Sequence, residues 1–213
     1  MASTGVTNNK TTAEDAAYWF APLVRAVPAA ALAGVVTFAG GRYTPEFGLV
    51  TFGGFAIVAG LAGGILSFRA IGSGVNRTLF LLQAILSVLV GVVALVGLNA
   101  GLPLFLGLVG SWGVLTGVLE GYAGLRSRGR LAVSRDWIFV GIVTVVLGVV
   151  ALVIPPDYVQ HYVDPVGPRI LNTAVMVVGA LGVYGAIVAV YLVIAGLSLK
   201  WSTATPAKDG VTP

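Results

Sequence analysis

The chain has 213 residues, of which 57% are apolar and 9% charged, with a formal net charge of +4 and a mean hydropathy of +0.98. Soluble domains carry about 25% charged residues, so a chain this poor in charge cannot coat a water-soluble globule and needs lipid around it. There is no cysteine and one histidine, His161, which excludes disulfides, thiol catalysis, cysteine metal sites and any multi-histidine metal centre.

In chain order, residues 1–17 read as a loose polar tail carrying Lys10, Glu14 and Asp15. A secretory signal would have a basic start and a short apolar core ending in small residues, and this segment has neither. Six apolar stretches follow, at about 20–40, 47–68, 78–97, 102–125, 137–154 and 172–199. Each meets the roughly 20 residues that a membrane-spanning helix needs. The runs are continuous and lack the period-two alternation of barrel strands, so the expected fold class is all-α integral membrane. A six-helix domain is expected over 18–200, built as three helical hairpins (18–70, 76–127 and 136–200), with a tail at 201–213.

The hairpin reading comes from the chain's match with itself at an offset of 57 residues. Gly34-Val35-Val36 falls on Gly91-Val92-Val93 and then on Gly148-Val149-Val150. Gly53, Phe55 and Gly60 fall on Gly110, Trp112 and Gly117. With 15 further residues of shift, Gly110, Trp112 and Gly113 fall on Gly182, Tyr184 and Gly185. A fixed period implies one structural unit used repeatedly. The extra length lies in the third turn, Pro155 to Arg169, which holds His161 and four prolines. Insertions in repeat proteins often lie on a binding face, but a connecting loop is also where added length has a small entropic cost, and that plainer reading is preferred.

Nine of the twelve basic residues (Lys10, Arg69, Arg77, Arg126, Arg128, Arg130, Arg135, Lys200 and Lys208) lie in the tails or in alternate loops, against Arg42 and Arg169 on the opposite side. That asymmetry places both termini in the cytoplasm. It accounts for the positive charge through topology and through contact with lipid headgroups, and no nucleic-acid partner is expected. Aromatics from Tyr18 to Phe20, and Tyr43, Trp137, Tyr158, Tyr162 and Trp201, stand at the ends of the spans, where an interfacial belt belongs.

The even helices carry small residues at four-residue spacing: Ala56, Gly60 and Gly64; Gly113, Gly117 and Gly121; and, more weakly, Gly185, Ala189 and Val193. Helices in lipid associate where small residues let backbones approach, so these stripes are expected to be the seams of the bundle. Two charges fall inside the spans, Arg25 and Glu120. At 1.5 Å per residue they sit roughly 8 and 9 Å from the same membrane edge, and Gln83 lies in the same layer. An Arg25–Glu120 ion pair supported by Gln83 is expected, because an intramembrane charge calls for a partner. The alternative is that both charges snorkel to the interface. His161 belongs to a residue type that titrates in the physiological range and is the candidate for a pH-sensitive external loop. The plainer reading is an incidental loop residue.

No phosphate-binding glycine loop, zinc-protease helix or nucleophile elbow is present, so no catalytic, cofactor or metal site is expected and the chain reads as non-enzymatic. The segment from Gly110 through Trp112, Gly113, Gly117, Glu120 and Gly121 runs into a basic turn at Arg126–Arg135, then Asp136-Trp137, Gly141 and Gly148, ending in Pro155-Pro156. Over about 18–200 this pattern resembles the HdeD-like acid-resistance membrane proteins. The first unit departs from it, because Arg25 and Pro28 are expected to interrupt that helix. The resemblance implies a multi-pass protein of the bacterial inner (plasma) membrane with a role in acid or envelope stress and no catalytic residues to carry over. Partners would be membrane lipids, a second copy of the chain or other membrane proteins. Two other readings stay open: an accessory subunit of a larger membrane complex, and a small channel or transporter lined by Arg25, Gln83, Glu120, Thr37, Ser87, Thr116 and Thr144.

Overall fold

The computed structural model describes residues 19–71, 74–131, 133–164 and 167–204, so the expected tail at 1–17 lies outside the described residues. The elements are α1 (Phe20–Thr37), α2 (Pro45–Arg69), α3 (Val75–Val96), a 3-10 turn (Leu98–Ala100), α4 (Gly101–Arg126), α5 (Ser134–Val153), β1 (Val159–Asp164), β2 (Gly167–Asn172) and α6 (Thr173–Ala204). All six α-helices are long and apolar enough to cross a membrane. The chain is thus an all-α integral membrane protein, with six transmembrane helices among the described residues.

Local chemistry sets the helix ends. Thr44 caps α2 by accepting the Phe47 N–H at 3.2 Å, and Pro45 takes the first helical position, where its missing N–H costs nothing. Gly101 opens α4 with φ +68°, a conformation that favours glycine. Asn172 Oδ1 accepts the Val175 N–H at 3.0 Å and caps α6, while the Thr173 hydroxyl donates to the Pro155 carbonyl at 2.6 Å.

The helices alternate in direction, so one end of the bundle holds the N-terminus of α1, the C-terminus of α6 and the loops after α2 and α4. We call this the terminal end. The most extensive packing joins α4 to α5, α2 to α3 and α1 to α6. Each of these pairs brings together helices from different expected hairpins, and the α1–α6 contact closes the set into a ring. Small residues explain the closeness. A Cβ on Gly53 would lie 3.0 Å from the Gly91 carbonyl oxygen, and one on Gly117 would lie 2.7 Å from the Gly141 carbonyl oxygen. One on Gly185 would lie 2.7 Å from the Ala29 carbonyl oxygen.

The even helices α2, α4 and α6 meet on the inside. Phe55, Trp112 and Tyr184 contribute one ring each, and all three pairs are edge to face at 5.7, 6.2 and 6.3 Å. Beyond them, away from the terminal end, the interior is filled by Leu49, Phe52, Phe105, Val109 and Leu181, all fully buried. Leu61, Ile65, Ile85, Leu89, Ile142, Val146, Val183 and Ile194 point outward, which is the arrangement of a protein solvated by hydrocarbon.

Three expectations are corrected. Pro28 does not interrupt α1, which runs unbroken through it. Proline in a membrane helix is tolerated where neighbouring helices support the freed backbone, and Pro28 is buried in the bundle. The boundary at 201 falls inside α6, which continues to Ala204. Within the third turn, β1 and β2 form an antiparallel hairpin with Val159 opposite Asn172 and His161 opposite Ile170. On α6, Val193 is 40% exposed and faces outward, and the close approaches to α1 are made by Gly182, Gly185 and Gly196.

Candidate functional site

Arg25, Gln83 and Glu120 gather in the half of the bundle nearer the terminal end. Arg25 stands two turns into α1, Gln83 eight residues into α3, and Glu120 near the end of α4. Arg25 Nη2 donates to Glu120 Oε1 at 2.5 Å, and Gln83 Nε2 donates to Glu120 Oε2 at 3.1 Å. Both carboxylate oxygens are thereby engaged. The Glu120 side chain is 2% exposed and that of Arg25 is 20% exposed, so the acid is sealed in while the arginine is only partly covered. The Arg25 guanidinium also stands over the Phe80 ring, 5.9 Å from its centroid.

These groups line a cavity of about 80 Å³ that runs from Ala21, Ser67 and Ile71 up to Phe55, Trp112 and Tyr184. That is room for a few water molecules. Gln83 Oε1 is buried on this side with no hydrogen-bond partner. The aromatic ceiling is tied by polar contacts: Trp112 Nε1 donates to Ser87 Oγ at 2.9 Å, and the Tyr184 hydroxyl lies 3.2 Å from Thr144 Oγ1.

Ser87, Thr116 and Thr144 line the same cavity as Arg25, Gln83 and Glu120. Thr116 donates to the Trp112 carbonyl at 2.6 Å and Thr144 to the Val140 carbonyl at 2.7 Å, so both hydroxyl protons are used within their own helices. Thr37 is exposed at the other end of α1.

His161 is exposed on β1, opposite Ile170, at the far end of the molecule from this layer. Among the packing glycines, Gly60, Gly113 and Gly117 lie against the backbone of the neighbouring helix. Gly121 is different. Its backbone nitrogen would lie 2.6 Å from a Cβ on Gly141, yet a Cβ on Gly121 itself would meet nothing within 4 Å. It belongs to the seam as a surface for Gly141 and not through its own missing side chain.

Sequence reasoning missed one charged contact. The Tyr191 hydroxyl on α6 donates to Asp136 Oδ1 on α5 at 2.9 Å. Asp136 stands in the first turn of α5, where an acid is ordinarily explained by the positive end of the helix dipole, and Tyr191 gives no signal as a partner at a separation of 55 residues. Among the described residues no three His, Asp or Glu gather as a metal site.

The chain matches no family model, no curated protein and no solved structure. Its reading therefore rests on its own residues. An acid held by an arginine and an amide inside an apolar bundle can fix the register of α1, α3 and α4.

Proposed function

We propose that this chain is a non-enzymatic multi-pass protein of the bacterial inner membrane, of the HdeD-like kind, with both termini in the cytoplasm and a role in acid or envelope stress. The observation that carries the reading is the Arg25–Gln83–Glu120 layer. It is a charged pair in the core that ties α1 to α4, with Gln83 of α3 on the second carboxylate oxygen. The six spans are three copies of one helical hairpin. In support, Phe55, Trp112 and Tyr184, which the sequence offsets align, stand together at the centre.

The test is survival of a deletion strain after acid challenge. Survival should fall, return with the wild-type gene and return incompletely with Glu120→Gln. A deletion strain as hardy as its parent would remove the stress role.

An accessory subunit is the second reading, favoured by a specific observation. Gly54, Gly107 and Gly179 would each accept a Cβ with nothing within 4 Å, so small residues remain at places that the bundle does not fill. Purification in mild detergent followed by mass spectrometry separates a lone bundle from a subunit. The channel reading has less support, because beyond the aromatic ceiling the interior is packed with Leu49, Phe52, Phe105 and Leu181.

A further inference from the structure

The loop between α4 and α5 has a feature that topology alone does not explain. Arg128, Arg130 and Arg135 line one recess of about 870 Å³, together with Leu131, Ile138 and Ile142. All three arginines are exposed, and none makes an ion pair among the described residues. The nearest acid along the chain, Asp136, is engaged by Tyr191. The other arginine-bearing loop at the terminal end is arranged differently. There Arg77 turns back on its own fold, with its guanidinium 4.6 Å from the Phe68 ring centroid and within 3.4 Å of the Phe68 carbonyl oxygen. A charge bias between loops explains which side carries arginine. It does not explain why three arginines line one recess.

The lower wall of the recess is apolar. Arg135, Ile138 and Ile142 recur at i, i+3 and i+7, which places them on one face of α5. At 1.5 Å per residue, Ile142 lies about 10 Å deeper than Arg135. Ile142 is 58% exposed. One stripe therefore descends from guanidinium at the headgroup level to bare hydrocarbon at the level of acyl chains.

We propose that this recess is a binding site for an anionic phospholipid with two phosphates, of the cardiolipin kind. The three guanidiniums would bind the phosphates, and an acyl chain would lie along Ile138 and Ile142. Arginine suits the task because its planar fork can bind phosphate bidentately. Three positive charges match a doubly charged headgroup better than a single phosphodiester. Basic pockets at this level of a membrane protein are suited to such lipids. The apolar stripe selects a lipid over a free anion. The site is independent of the stress role and of the Arg25–Glu120 pair.

Native mass spectrometry of the full-length protein in detergent tests this directly, with cardiolipin, phosphatidylglycerol and phosphatidylcholine as probes and inorganic pyrophosphate as competitor. The wild type should retain cardiolipin in preference to phosphatidylcholine, and pyrophosphate should not displace it. The triple variant Arg128→Gln/Arg130→Gln/Arg135→Gln should lose cardiolipin affinity by about a hundredfold, taking roughly 1 kcal/mol for each basic residue near the surface. Triple replacement by lysine should retain most of it, and Arg42→Gln at the opposite end should change nothing. Equal retention of cardiolipin and phosphatidylcholine by the wild type would overturn the proposal, as would full retention by the glutamine variant. Displacement by pyrophosphate would do the same, leaving an anion site without lipid.

Discussion

Replacing Arg25 with leucine should destabilise the bundle by roughly 3–5 kcal/mol, the cost of leaving a buried charge without its partner. Glu120 is 2% exposed and has too short a side chain to reach the interface, so it has no way to recover solvation. Gln83 can still donate to one oxygen, but an amide does not neutralise a carboxylate. The double variant Arg25→Leu/Glu120→Gln should recover most of the loss, since a neutral pair of similar volume is often as stable as a buried ion pair. Glu120→Gln alone should be milder than Arg25→Leu, because Arg25 is 20% exposed and its long stem can carry the charge toward the interface. Thermal unfolding of the four proteins in one detergent reads the full cycle. A double variant as damaged as Arg25→Leu would show that the two side chains do not act together.

The second large effect concerns the α4–α5 seam. A Cβ on Gly148 would lie 2.5 Å from the Val114 nitrogen and 2.8 Å from the Gly110 carbonyl oxygen. Both are backbone atoms, so no side-chain rotation relieves the collision and the helices must move apart. Gly148→Ala should therefore cost about 1–3 kcal/mol, the usual penalty for overpacking. Gly63→Ala offers the contrast. Its added methyl would meet nothing within 4 Å, and alanine favours the helix by up to about 1 kcal/mol over glycine. The same substitution should thus lower the melting temperature at Gly148 and leave it unchanged or raise it at Gly63. A matched response at the two positions would mean that the seam is not where the missing side chains matter.

The sequence exposes some parts of this architecture and hides others, for physical reasons. The six spans are visible because lipid demands long apolar runs, and the observed helices start and stop within a few residues of those runs. The places of Arg25, Gln83 and Glu120 follow from counting residues in from the span ends, since helical rise fixes depth. What depth cannot give is the direction in which a side chain faces. The contact of Tyr191 with Asp136 is hidden for that reason, as is the outward face of Val193. A stripe of small residues likewise identifies a packing face without naming its partner. Nothing in the pattern of Gly113 and Gly117 says that they meet α5 rather than α3. Pro28 misleads because its helix-breaking tendency is calibrated in water. The β-hairpin is masked by prolines, and Val159 to Asp164 does not keep a strand's apolar–polar alternation, since His161 is polar and Tyr162 apolar.

The central structural claim is that helices of different hairpins meet face to face through these small-residue seams. The chain contains no cysteine, so introduced pairs report without background. A Cβ on Gly64 would lie 3.6 Å from the Ala84 Cβ, inside the window of about 3.5–4.5 Å that a disulfide requires. In native membranes, Gly64→Cys/Ala84→Cys should form a disulfide under mild oxidation and lose its reactivity toward a maleimide reagent. Gly63→Cys/Ala84→Cys, turned one residue around α2, should stay reduced and labelled. Thiols still free in the Gly64→Cys/Ala84→Cys protein after oxidation, or equal crosslinking of both pairs, would contradict the arrangement of α2 against α3 and with it the ring.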